Sequence, residues 1–73
     1  MNAPRVLLTL AKVQAKTGMG RTYIYSEGRD GRFPKPVKVG VASRWVESEV
    51  DTWIAARIAE RDMGKDVGTD KAA

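Results

Sequence analysis

Arg21, Thr22, Tyr23 and Ser26 fall within six consecutive positions, and Lys35, Lys38 and Arg44 follow along a second basic stretch. These side chains suit contact with a duplex polyanion. A guanidinium fork can meet O6 and N7 of guanine together, and hydroxyls can reach base edges or phosphates. Lysine ammonium groups neutralise a phosphate backbone without demanding strict geometry, so the second stretch would position rather than read. Arg29 and Arg32, on either side of the Gly31 turn, are weaker phosphate candidates, and Arg32 can equally pair with a nearby acid. Each has a plainer counterpart. Arg21 can be a solvated charge at a helix start, Tyr23 half-buried packing, and lysines on an edge strand a guard against sheet-to-sheet association.

The charge distribution supports a polyanion-facing surface. Residues 1–45 carry nine Lys/Arg against only Glu27 and Asp30, whereas residues 46–73 carry four against seven acids, so the overall +4 divides into +7 and −3. With neither Cys nor His among 73 residues, disulfides and thiolate or imidazole metal sites are excluded, and the thiol nucleophile and the imidazole acid/base group are missing. An enzyme is not expected, and nothing implies a cofactor. No run is long and apolar enough to span a membrane, and the start lacks the pattern of a signal peptide, so a cytoplasmic protein is the default expectation. A chain this short must use nearly every large apolar residue in one core.

Those residues need elements to hold them. "RVLL" reads as a short extended piece, and "TLAKVQAKTG" as a two-turn helix over 10–17, capped by Thr9 and stopped by Gly18. Met19 is the apolar plug of a tight "TGMG" connector. "RTYIYSEGR" fits a second short helix over 21–29, weakened by about 1 kcal/mol at Gly28 and therefore dependent on tertiary contacts or a ligand. Two helices joined by so short a Gly-containing link form a helix-turn-helix. Pro34 and Pro36 then bar helix, and alternation from Val37 to Trp45 around Gly40 predicts a basic β-hairpin within 34–45. From Val46, apolar Val50, Trp53, Ile54 and Ile58 recur with helical spacing, and Glu47, Glu49 and Asp51 favour the positive end of the helix dipole over a metal site. Gly64 marks its stop. The expected core is Leu10, Val13, Met19, Ile24, Phe33, Trp45, Val50, Trp53, Ile54 and Ile58, with Tyr25 beside it. The aromatics are needed inside, which counts against a stacking platform for single strands.

Three stretches carry a family resemblance between about Arg5 and Arg61. "TGMGRTYIY", "GRFPKPVKVG" and "SRWVESEVDTWI" resemble, in order and spacing, the turn and recognition helix, the start of the wing and the third-helix opening of the AlpA family of small phage and prophage regulators. The resemblance implies a mainly α fold with a small β-hairpin, a winged helix-turn-helix of the excisionase/MerR-like type. It implies double-stranded DNA as partner, with Arg21, Thr22, Tyr23 and Ser26 on the recognition helix and Lys35, Lys38, Arg44, Arg29 and Arg32 on the wing and its flanks. Gly20 stands where the family usually has a serine cap. A flexible start at 1–4, one domain at 5–62 and an unstructured tail at 63–73 are expected.

The function so implied is a phage or mobile-element transcriptional regulator. An excisionase-like recombination directionality factor is the nearest variant, and an adaptor docking on an integrase, polymerase or packaging enzyme is the alternative of another class. Useful specificity would call for a second copy on an adjacent half-site or a larger phage or host protein. The DNA reading carries the expectation that Arg21 and the hairpin cations emerge on a common side, opposite a tryptophan-anchored interior.

Overall fold

The computed structural model describes residues 5–64; the expected flexible start and most of the expected tail lie outside the described residues. Strand β1 (Leu7–Leu8) is followed by α1 (Leu10–Thr17), α2 (Arg21–Arg29), β2 (Val37–Val39), β3 (Ala42–Val46) and α3 (Glu47–Asp62). Helix α1 starts where Thr9 Oγ1 accepts the Lys12 N–H at 3.2 Å. It ends at Gly18, whose φ of +74° lets its N–H return to the Gln14 carbonyl at 2.7 Å. The Thr17 hydroxyl tightens the connection by donating to the Val13 carbonyl at 2.8 Å and accepting the Met19 N–H at 3.1 Å. Three residues later α2 begins without a side-chain cap at Gly20.

The far end of α2 is fastened by its own exit loop. Arg32 and Phe33 both return their N–H groups to the Glu27 carbonyl, at 2.8 and 3.2 Å, and the loop folds the buried Phe33 and the Pro34 carbonyl over buried Gly28. A Cβ at Gly28 would meet those carbonyls only at 3.8 Å or more, so tertiary contact orders this glycine-weakened helix without an obligatory close approach.

The sheet has the order β1-β3-β2 and is antiparallel throughout. Its hairpin half was expected. The partner of the "RVLL" segment was not: Leu7 lies opposite Val46 and Leu8 opposite Trp45. That pairing also begins α3, because the Glu47 N–H donates to the Val6 carbonyl at 2.8 Å where Val46 supplies no side-chain cap.

Leu8, Val13, Ile24, Phe33, Trp45 and Val50 form the buried core, with Leu10, Met19, Tyr25, Trp53 and Ile54 packed around it. Leu8 is an addition to the expected set. Ile58 is a correction: it is 46% exposed. A 16-residue helix is about 24 Å long, and the last turns of α3 run past the small body that its first turns cover. Among the described residues, no helix is long and apolar enough to cross a membrane.

Candidate nucleic-acid interface

The buried side of α2 is defined by Ile24 and Gly28, which leaves Arg21 and Thr22 exposed and Ser26 half-buried one turn beyond Thr22. Arg21 is not a loose charge. Its guanidinium lies 5.2 Å over the Tyr25 ring, and that ring stands edge-on to fully buried Trp45 with centroids 5.7 Å apart. The i, i+4 spacing on α2 thus ties Arg21 to the core through an aromatic face. Tyr23 leans the other way, edge-on to Trp53 at 6.5 Å, and keeps 40% of its surface exposed.

Between α2 and the start of the hairpin lies an open cleft of about 500 Å³ lined by Ile24, Tyr25, Gly28, Arg29, Lys35 and Pro36. Two cations and an aromatic ring therefore share one concavity. Lys35 Nζ donates to the Gly28 carbonyl at 3.0 Å, which places a positive charge against the carbonyl end of the helix and fixes the side chain beside exposed Arg29. The sequence favours Tyr25 as core over contact, because it adjoins Ile24. Its spacing from Arg21 was the available signal for its second role.

The hairpin corrects the expectation of a single basic side. Lys38 lies directly opposite Ser43 and donates to its hydroxyl at 2.9 Å, whereas Arg44 lies opposite Val37 and donates to the Ser43 carbonyl at 2.9 Å. Adjacent residues of a strand face opposite ways, so Lys38 and Arg44 straddle the ribbon. Arg32 is removed from the cleft by its own partners. Its guanidinium holds both carboxylate oxygens of Glu27, at 2.7 and 3.1 Å, and Asp30 at 3.0 Å. The hydrogen bonds that Arg32 donates to Glu27 push its guanidinium further above its ordinary value and draw the Glu27 carboxyl below its own.

A pH prediction follows from Glu27. A carboxylate whose pKa falls on folding contributes stability that is present above its unfolded value, near 4.5, and lost as pH falls through the lower folded value. The side-chain carboxyl carbon of Glu27, followed by NMR, should titrate below 4.5, and Glu27→Gln should lower the thermal midpoint at pH 7 but not under strongly acid conditions. A titration at or above the ordinary value would remove this clasp from the account.

On α3, Glu47 and Asp51 are both engaged by Lys16 of α1, at 3.4 and 2.9 Å. The hydrogen bond to Asp51, with a smaller contribution from Glu47, raises the Lys16 pKa. Among the described residues no cluster of acidic side chains suits a metal ion.

A helix-turn-helix followed by a hairpin that projects beside the second helix, closed by a third helix and a third short strand, is a winged helix-turn-helix domain. The chain belongs to the AlpA family: the family model described as "Prophage CP4-57 regulatory protein (AlpA)" matches residues 6–58. It is 41% identical over 63 residues to the "DNA-binding transcriptional activator AlpA" of Escherichia coli K12, covering 77% of this chain and 89% of that protein. It is also 40% identical over 60 residues to the "Uncharacterized protein ORF88" of Enterobacteria phage P4, covering 81% of this chain and 68% of that protein. No solved structure matches significantly.

Proposed function

We propose that this chain is a sequence-specific double-stranded DNA-binding protein that regulates transcription in a phage or mobile element. Helix α2 enters a major groove with Arg21, Thr22 and Ser26 toward base edges, while Arg29 and Lys35 receive the phosphate ridge between α2 and the hairpin. Lys38 and Arg44 follow the backbone on either side of the ribbon, and Tyr23 contributes its exposed edge. Arg32 serves this site indirectly by clasping Glu27 and Asp30, which keeps two carboxylates away from the anion.

The observation that carries the reading is the cleft, because it brings Arg29 and Lys35 together at the foot of the helix that displays Arg21. The kinship with a transcriptional activator described as DNA-binding supports it. The adaptor reading draws less support, since Lys16 already engages two of the carboxylates at the start of α3 that a cationic partner would seek.

Footprinting on the DNA around its own gene, joined to affinity measured against salt, tests the proposal. Each phosphate neutralised contributes about −0.9 to the slope of log affinity against log salt, so five contacts predict roughly a 500-fold loss between 50 and 200 mM. Lys35→Ala and Lys38→Ala should each make the slope shallower by about 1 on any sequence. A salt-insensitive interaction, or one that random competitor DNA abolishes, would refute specific DNA binding.

A further inference from the structure

The outer face of the sheet is apolar where an open face is ordinarily polar. Residues paired across antiparallel strands share a face, so Leu7 with Val46, Val37 with Arg44 and Val39 with Ala42 make one side, and Leu8 with Trp45 and Lys38 with Ser43 make the other. The helices lie on the second side, where Leu8 and Trp45 are buried with Val13 of α1, Ile24 of α2 and Val50 of α3. An antiparallel sheet covered on one face normally turns polar residues to water on the other. Here Arg44 is the single polar residue of the six, and Leu7, Val37 and Val39 are 46%, 41% and 52% exposed. Strand propensity does not require this, since threonine offers the same β-branched stiffness with a hydroxyl.

Shape and charge say what fits. From Ala42 to Val46, β3 runs about 14 Å, and three strands lie about 10 Å across, the footprint of one α-helix of roughly three turns. A helix laid there gives the sheet a second covering layer, the ordinary way in which a sheet buries an apolar face. Arg44 is the only charge in the patch, set between Val37 on β2 and the pair of Val46 and Leu7, so the helix must carry a carboxylate within its apolar stripe. Residues 31–46 contain four cations and no acid, which turns away a basic helix. A guanidinium has five N–H donors and Arg44 gives one to the Ser43 carbonyl, so a carboxylate can be met without withdrawing Arg44 from a phosphate.

We infer that the outer face of the sheet is a docking site for an amphipathic helix of another protein, one whose apolar stripe has an aspartate or glutamate at its centre. This goes beyond DNA recognition. The sheet packs on α2 through Trp45, which meets Tyr25 from the opposite face, so the docked helix and a duplex on α2 occupy different sides of the domain. A chain bound to DNA thereby holds a second protein beside its site. The patch is far smaller than a permanent interface, and the affinity is accordingly micromolar.

The test is made without DNA, so that its failure and the failure of the DNA reading are separate results. A display library of helical peptides of about 14 residues, randomised along one face, is selected against the full chain. Selected peptides should carry apolar residues at i, i+3 or i+4 and i+7 with Asp or Glu among them, and should shift the backbone amides of Leu7, Val37 and Val39 in NMR spectra. Leu7 and Val37 lie outside the buried core, so Leu7→Ser and Val37→Ser should keep the thermal midpoint while each weakens peptide binding roughly five-fold. Arg44→Glu should reject the same peptides and, in a fresh selection, bring up Lys or Arg at the central position. A library that yields no binder, binders that leave those amides unmoved, or binders indifferent to the charge at position 44 overturn the inference. So does a chain that self-associates through this face, its sedimentation falling to that of a monomer in Val37→Ser, because the occupant is then a second copy.

Discussion

Trp45→Ala is expected to leave the chain mostly unfolded at room temperature. Trp45 is fully buried at the point where the sheet meets α2, opposite Leu8 across the β1–β3 pair and against the Tyr25 edge. Truncating a large buried aromatic costs about 3–5 kcal/mol, and a folded body of some 60 residues has only about 3–9 kcal/mol in total. Trp45→Phe separates volume from polarity. The indole Nε1 is buried without a hydrogen-bond partner among the described residues, so phenylalanine forfeits no hydrogen bond and should cost about 1–2 kcal/mol through lost packing alone. Urea unfolding followed by far-ultraviolet circular dichroism measures both. An alanine variant within about 1 kcal/mol of the parent would mean that the core closes without this residue.

The same residue shows how much of the fold could be read beforehand. Helices α1 and α2 begin and end where the sequence puts their punctuation, because Thr9, Gly18 and Gly20 act within one turn of themselves and need no distant partner. Pro34, Pro36 and Gly40 similarly announce the hairpin, whose turn is made by its own two residues. The pairing of Leu7 and Leu8 with Val46 and Trp45 spans nearly forty residues, and no local pattern records it. Leu8 therefore enters the core unannounced. Ile58 shows the opposite error: its helical spacing continues the apolar stripe of Val50 and Ile54, but periodicity says which way a side chain points, not how far the body beneath it extends.

The candidate site divides along the same line. Residue type picked out the cations of the cleft and the hairpin, yet which of them act together depends on geometry. Alternation along β2 and β3 sends Lys38 and Arg44 to opposite faces, and the loop after α2 turns Arg32 back onto Glu27. Arg29 and Lys35, six residues apart in sequence, meet only because the Phe33–Pro34 loop doubles over Gly28. The hairpin cations thus take two sides of one ribbon, an arrangement suited to a backbone passing along it.

Arg21→Ala is expected to give the largest loss of sequence discrimination. A bidentate arginine–guanine contact is worth about 1–3 kcal/mol, so affinity for the selected site should fall roughly 5- to 150-fold, with preference relaxed at one base pair. Binding to unrelated DNA should weaken only by the loss of one charge. The Tyr25 ring makes the prediction more specific, because a guanidinium held 5.2 Å over an aromatic face is partly oriented before it meets a base. Tyr25→Phe keeps that face and should preserve discrimination. Tyr25→Leu keeps the site apolar but removes the face, and should relax preference at the same base pair by a few-fold without changing the salt slope. Binding-site selection with each variant provides the measurement. If Tyr25→Leu altered affinity equally on all sequences, the ring would be packing alone; if Arg21→Ala left the selected sequence unchanged, the reading of bases would have to pass to Thr22 and Ser26.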